Sequence, residues 1–419
     1  MQWRFLALAG LCFIASNCGL FAGGSGHSDN TDKWPPSPDA EVTGEPAPSA
    51  TLTADVFIDG TSSMQGFAKA GQSRYSRFIQ DLDAALTSVW PASDVRYFKF
   101  GSHARQLANR NEFQQITQPA FYTESGLAES TDIDKALASS NPEHLTIIVT
   151  DLFEEAGDVN ALDRLLKTRF LTKNAAVGLL AVPSEFDGVV YDARVPPFAY
   201  RTTGDPASFR PFYALIIGRV ADVDQLVSSL SQHPYISREL FTLAAGFVAS
   251  TSTAALRQAK NLADVDGHGD SFRFNDNAQP ARLSVSLNTV LRQGVPVFDS
   301  KQVEMVAEEI SNGHAVPVSS LRLAGFTGAA PNFTAIIEAA APLTGGTHVY
   351  HVTLKLPERA AFPTPSWVKV WHADSPSPAN NPNHTMNLEP FVNTLLQSST
   401  VIHAPTLARV SFRLTKRRE

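Results

Sequence analysis

The chain has 419 residues, enough for two or three domains, and 43% of them are hydrophobic, enough to bury a sizeable core. Charged residues make up only 18%, and the formal net charge of -7 is mild. Because no basic stripe stands out, the composition argues against a nucleic-acid-binding surface.

The first residues have the pattern of a targeting segment. Arg4 precedes an apolar stretch over 5–15, which has the length of a signal-peptide core and is too short to span a bilayer. Cys12 and Cys18 are the only cysteines, so we expect no disulfide in the mature body. The run Ala-Ser-Asn-Cys that ends at Cys18 resembles a bacterial lipobox. This resemblance implies a signal peptide over 1–18 and a lipid on Cys18; ordinary secretion and a retained anchor are the alternatives.

Residues 19–50 are rich in Gly, Ser, Pro, Asp and Glu and contain few large apolar groups. Such a stretch cannot bury enough surface to fold, so we expect a disordered tether that lifts the folded part off a membrane. An unremarkable disordered terminus would have the same sequence. The expected location is the bacterial cell envelope, with the protein exported and anchored by its lipid.

A polar turn follows the first strand-like run of the body. The run 54–58 is rich in β-branched and aromatic residues, which predicts a buried strand, and Asp59, Thr61 and Ser63 follow at alternate positions. Their oxygens can converge on one point, and oxygen ligands are what Mg²⁺ prefers. The alternative is a turn that only caps the next helix, because Asp, Ser and Thr are favoured at helix N-termini.

Helix and strand patterns alternate from here to about residue 182. Apolar residues at three- and four-residue spacing predict a helix over 74–90. Short apolar runs predict strands over 94–100, 145–150 and 175–182, and the run 145–150 is typical of a strand buried on both faces of a parallel sheet. The alternation predicts an α/β domain.

Two later residues complete a known pattern. Thr131 lies at the start of a predicted helix, and Asp151 directly follows the strand 145–150. With Asp59-Gly60-Thr61-Ser62-Ser63, they resemble the metal-ion-dependent adhesion site (MIDAS) of von Willebrand factor type A (VWA) domains, although Thr61 stands where the family has Ser. The resemblance covers roughly 52–182. It implies a Rossmann-like, doubly wound α/β fold and Mg²⁺ or Mn²⁺ held by Asp59, Thr61, Ser63, Thr131 and Asp151.

The chemistry of these residue types favours binding. Ligands at the carboxyl ends of parallel strands lie where α/β sheets bind other molecules. A site with few protein ligands leaves Mg²⁺ part of its water shell, and an open position can accept a carboxylate from a partner protein, as is usual in the family. No nucleophile with an adjacent base stands out, so we do not expect an enzyme.

The first domain is expected over 51–230, with a long irregular insertion over 183–212 that carries several aromatic residues. Those aromatic residues favour packing across the domain surface, and a ligand-binding loop is the alternative. A strand over 212–218 and a helix over 223–230 either extend the first sheet or open a second domain.

The remainder of the chain has a different texture. Residues 231–270 are expected to form a helical or linker region. Short alternating strands separated by Gly, Pro and Asn turns predict a β-rich, sandwich-like domain over 271–419, including a strand over 368–371 and a helix over 386–397.

The favoured hypothesis is therefore a cell-envelope protein that mediates protein binding or adhesion through a divalent-metal site. A metal-free structural scaffold in an envelope assembly is the first alternative. A metal-assisted envelope hydrolase is the second, because an open Mg²⁺ can activate water.

Overall fold

The structure is a computed structural model of the whole chain. It describes residues 48–153, 159–173, 175–245, 249–265, 271–275, 281–311, 314–340, 345–377, 380–402 and 405–416. The predicted signal peptide, Cys18 and nearly all of the predicted tether lie outside these residues. Ser49, near the end of that tether, donates hydrogen bonds to the Asp222 carboxylate.

Strands and helices alternate in the first part of the described chain. The strands are β1 Thr53–Asp59, β2 Asp94–Phe100, β3 Ala104–Gln106, β4 Leu145–Thr150, β5 Ala175–Ser184, β6 Asp187–Val190, β7 Phe198–Arg201, β8 Arg210–Arg219 and β9 Phe241–Ala244. The helices are α1 Gln65–Lys69, α2 Arg74–Val89, α3 Arg110–Gln114, α4 Ile133–Ser139, α5 Val159–Leu165 and α6 Val220–Leu230.

Seven of these strands form one mixed sheet in the order β3-β2-β1-β4-β8-β5-β9. The strands β2, β1 and β4 are parallel neighbours. The strand β8, which follows the predicted insertion, lies between β4 and β5 and is antiparallel to both. The chain after the insertion therefore adds an inner strand to the first sheet. Of the two alternatives that the sequence left open, this strand belongs to the first sheet and does not begin a second domain.

Both faces of this sheet are covered, because side chains alternate between the faces of a strand. On one face, Val56 and Ile58 share a buried cluster with Phe78 of α2 and Leu226 of α6. On the other face, Phe57 belongs to a second buried cluster, which contains apolar side chains of α4 and α5. The predicted strand β1 is thus buried on both faces, and the predicted helix α2 packs its apolar side against one of them.

The second part of the chain is mostly β-strand. Its strands are β10 Ala249–Lys260, β11 Leu262–Asp264, β12 Ser271–Phe274, β13 Ala281–Leu291, β14 Glu304–Ser311, β15 His314–Pro317, β16 Leu321–Ala329, β17 Asn332–Ala339, β18 Gly346–Lys355, β19 His372–Ala373, β20 Thr385–Met386 and β21 Thr406–Lys416. Its helices are α7 Ser366–Trp371 and α8 Leu388–Ile402.

These strands build two larger sheets, with the orders β10-β13-β17-β16 and β11-β12-β21-β18-β14-β15. Apolar side chains of both sheets share one buried cluster, which includes Val285 of β13, Ile337 of β17 and Val352 of β18. The inward positions alternate along β13 and β18, as expected for strands with one buried face.

The segment from α7 to α8 leaves these two sheets and covers the first one. Trp367, Leu388 and Phe391 lie in the same buried cluster as Phe57 of β1. The predicted strand over 368–371 is wrong, because these residues are in α7. A four-residue apolar run does not distinguish a strand from a helix turn, and here Trp367 and Val368 are buried at neighbouring helical positions.

The predicted helical or linker region over 231–270 also differs from the structure. Its described part contains β9, β10 and β11. The second half of β10, over 254–260, consists of good helix formers, but β10 pairs with β13 from end to end, with two register shifts. Tertiary pairing therefore overrides the local preference.

The predicted α/β class is confirmed at the level of a mixed fold with several sheets, 29% helix and 40% strand. In the part of the chain that the structure describes, none of the helices combines the length and the apolar character needed to cross a bilayer.

Candidate metal centre

The candidate site lies where two neighbouring parallel strands of the first sheet end. Asp59 is the last residue of β1, Thr150 is the last residue of β4, and Asp151 follows it. Ile58 is opposite Val149 in the parallel register, so the two strand ends lie side by side. This edge is where α/β sheets commonly place ligands.

Asp59 is fully buried and accepts four hydrogen bonds. Its Oδ1 accepts from the backbone N–H of Thr61 at 3.0 Å and from the Thr61 hydroxyl at 2.7 Å. Its Oδ2 accepts from the Thr150 hydroxyl at 2.7 Å and from the Thr131 hydroxyl at 3.3 Å. A carboxylate offers roughly four acceptor positions, so these donors fix the orientation of Asp59.

Three hydroxyl groups gather beside this carboxylate. The Thr61 Oγ1 lies 3.1 Å from the Ser63 Oγ and 3.0 Å from the Thr131 Oγ1. All three side chains are buried. Thr131 comes from the loop just before α4, 70 residues from Thr61 along the chain. The structure thus brings these predicted residues into direct contact.

The alternative interpretation as a simple helix cap finds no support in these hydrogen bonds. Thr61 precedes a short 3-10 turn, and Met64 precedes α1, and neither side chain makes a capping hydrogen bond. The Asp59 carboxylate instead accepts from the backbone N–H of Thr61 and from the hydroxyls that surround it.

Asp151 adds a second buried carboxylate to the site, with 2% of its surface exposed. Its Oδ1 accepts from the backbone N–H of Phe153 at 3.2 Å. Burial, and then the nearby charges of Asp59 and Asp192, raise the pKa of Asp151 to about 7, against the opposing effect of Arg210. Burial also raises the pKa of Asp59, although its hydrogen bonds oppose the shift.

Neither Asp59 nor Asp151 forms an ion pair with a Lys, Arg or His among the described residues. Two buried carboxylates that lack a cationic partner are costly, because burial disfavours charge and like charges repel. A bound cation would remove both costs. The donor set of two carboxylates and three hydroxyls is of the oxygen type that Mg²⁺ and Mn²⁺ accept.

Asp192 and Arg210 were not predicted as site residues from the sequence, and the insertion brings both close to Asp151. They form an ion pair in which both side chains are buried. The second oxygen of Asp192, Oδ2, is buried without a hydrogen-bond partner in the described part of the chain. Arg210 also donates to the backbone carbonyls of Pro382 and His384, so the C-terminal segment is tied to the same place. An Arg as the first residue of an apolar strand was the available signal.

A cleft of about 230 Å³ opens onto the three hydroxyls. Its lining comes from the Asp59 turn, from the loop before α4, from the residue two positions after Asp151 and from the insertion. The lining residues are Thr61, Ser62, Ser63, Ala128, Glu129, Ser130, Thr131, Phe153, Tyr191 and Pro197. The predicted hydroxyls are therefore reachable from outside.

Within the described ranges, no group of three or more His, Cys, Asp or Glu side chains is arranged to hold a metal ion. The candidate set is of another kind, since three of its five members are hydroxyls. The metal itself therefore stays a prediction.

Comparisons of the chain with protein-family models, with curated proteins and with solved structures find no match.

Proposed function

We propose that this protein is a binding protein of the bacterial cell envelope that holds Mg²⁺ or Mn²⁺ at the Asp59 turn and there binds a carboxylate of a partner protein. The proposal includes a VWA-like first domain, whose motif the sequence resembles, and a sandwich formed by the two sheets of the second part. It also includes export and a lipid on Cys18, which the N-terminal sequence pattern supports.

One observation carries the proposal. The buried Asp59 carboxylate, which has no ion-pair partner in the described chain, holds hydroxyls that face an open cleft, and the charge of a second buried carboxylate, Asp151, lies near it. Because Asp59 is already bound to four donors, the hydroxyls of Thr61, Ser63 and Thr131 would contact the cation, and Asp59 would act through the hydroxyls that it orients. Asp151 would supply further negative charge. The cation, when bound, offers open positions to an oxygen ligand.

A metal-free scaffold is a second candidate, and the same hydrogen bonds favour it. The hydroxyls of Thr61, Thr131 and Thr150 satisfy Asp59 without any ion. If the protein is such a scaffold, the Asp59 turn serves only to connect the ends of β1 and β4 to the loop before α4. The two functions differ in whether the hydroxyls have affinity for a divalent cation.

Isothermal titration with Mg²⁺ and with Mn²⁺ separates them. We expect the wild-type protein to bind one cation and the variant Thr131→Val to bind it at least about tenfold more weakly, because valine keeps the shape and removes one oxygen ligand. The matched control is Thr87→Val on the exposed face of α2, where the hydroxyl bonds only to backbone carbonyls.

The control should bind the cation as the wild type does. If the wild-type protein gives no heat of binding at millimolar cation, the metal-dependent function is wrong and the scaffold is favoured. Equal affinity in Thr131→Val would remove Thr131 from the site.

A further inference from the structure

The cleft above the three hydroxyls has an aromatic wall. The rings of Phe153 and Tyr191 are nearly parallel, with an interplanar angle of 18° and centroids 6.3 Å apart. Both side chains are half-buried, and the exposed Pro197 lies beside them in the lining. An aromatic pair at the mouth of a polar site offers apolar contact area next to the position of the cation.

Both ring residues lie next to buried groups of the site along the chain. Phe153 follows Leu152, whose φ of 62° is uncommon for a residue other than glycine, and its N–H donates to Asp151. Tyr191 precedes Asp192, which is buried in the ion pair with Arg210. Each ring residue thus adjoins a buried carboxylate near the site, Asp151 for Phe153 and Asp192 for Tyr191, although the two come from separate parts of the chain.

The rest of the lining is mostly polar and carries a negative charge. Glu129 is exposed at the cleft, and its carboxylate accepts from the backbone N–H of Gly126 at 3.2 Å. A second acidic group on a ligand would be repelled there. The cleft volume of about 230 Å³ is several times the roughly 30 Å³ that one water occupies, so a carboxylate group alone does not fill it.

We propose that the cleft recognises an acidic side chain of a peptide whose neighbouring residue is aromatic, with the acid at the cation and the neighbouring ring against Phe153 and Tyr191. This inference rests on the proposed function, because it needs the cation to bind the acid. The inference adds the chemistry of the partner segment, which has one acidic residue next to an aromatic residue. A run of acidic residues does not fit.

Four immobilised peptides test the proposal: Ala-Asp-Phe-Ala, Ala-Asp-Ser-Ala, Ala-Asp-Asp-Ala and Ala-Asn-Phe-Ala, each blocked at both ends. Binding of the purified full-length protein is measured by surface plasmon resonance with Mg²⁺ and with EDTA. The variants are Tyr191→Ala, which removes part of the wall, and Tyr200→Ala, an aromatic of the same insertion that does not line the cleft.

With Mg²⁺, we expect the Asp-Phe peptide to bind about three- to tenfold more tightly than the Asp-Ser peptide, as aromatic pairs allow. The Asp-Asp peptide should bind no better than Asp-Ser. Tyr191→Ala should lose the preference for phenylalanine and keep Mg²⁺-dependent binding of Asp-Ser, which shows that it is folded. Tyr200→Ala should keep the preference.

Two kinds of result overturn the inference in different ways. Mg²⁺-dependent binding of all three Asp peptides with equal affinity, or a preference that survives in Tyr191→Ala, contradicts the aromatic wall and leaves the proposed function standing. Binding that EDTA does not reduce, or that the Asn peptide matches, contradicts the proposed function and the inference together.

Discussion

Replacing Asp59 by asparagine is expected to abolish the stabilisation of the protein by Mg²⁺. The hydroxyls of Thr61 and Thr131 both donate to the Asp59 carboxylate, so the substitution removes the charge that orients them and that would balance the cation. A cation present at about 100 times its dissociation constant stabilises the folded state by roughly 2.7 kcal/mol, which raises the melting temperature by on the order of 5 °C. Thermal melting of each protein with Mg²⁺ and with EDTA measures the difference.

The matched control for this experiment is Asp134→Asn. Asp134 lies on α4, close in sequence to Thr131, but its side chain is partly exposed. Its Oδ2 lies 3.8 Å from the Nζ of Lys135. This variant should keep the full Mg²⁺-dependent shift of the wild type. Equal shifts in Asp59→Asn and in the wild type would show that any bound cation lies elsewhere.

The second large effect is a dependence of stability on pH in the absence of metal. The pKa of Asp151 rises from its ordinary value of 3.8 to about 7 in the folded state. Between these values the folded protein holds a proton that the unfolded chain releases, so this stabilisation is present at low pH and is lost as the pH rises through about 7. In EDTA, the wild type should therefore lose up to about 1.4 kcal/mol per pH unit relative to Asp151→Asn.

Melting curves from about pH 5 to about pH 8 measure this effect. Burial also raises the pKa of Asp224, so the wild type is compared with Asp151→Asn, which shares Asp224. A cation displaces the proton from the site, so Mg²⁺ should stabilise the wild type more at about pH 8 than at about pH 5. A wild type whose stability in EDTA rises with pH relative to Asp151→Asn would contradict the charge arrangement.

The contacts around Asp59 were largely predictable from sequence because they depend on strand ends. An apolar strand that stops at Asp59 and another that stops at Thr150 place their next residues at the same edge when the strands pair in parallel. The alternate spacing of Asp59, Thr61 and Ser63 predicted that their side chains meet within the turn. Thr131 was accessible only through the resemblance to a known motif, because it comes from a loop 70 residues away.

The part of the sheet that follows the insertion was not predictable in the same way. The run that forms β8 predicts a strand, but nothing local indicates that this strand lies between β4 and β5. The pairing of Asp192 with Arg210 and the contact of Arg210 with Pro382 depend on that position. Sequence separations of this size leave no periodic signal.

The C-terminal helices show the same limit. Residues 388–402 are apolar at helical spacing, and a helix was predicted near there, over 386–397. Which surface buries that stripe is a tertiary question. The structure places Leu388 and Phe391 against the first sheet and not in the cluster shared by the later strands.

The proposed divalent-cation site lies among the hydroxyls of Thr61, Ser63 and Thr131. The most direct test is the crystal structure of the protein grown with Mn²⁺, with data collected to locate manganese by its anomalous scattering. We expect one anomalous peak at oxygen-coordination distance from these hydroxyls, near Asp151. A well-ordered Asp59 turn that keeps its hydrogen bonds from Thr61 and Thr131 and shows no anomalous peak would rule out a cation at this position.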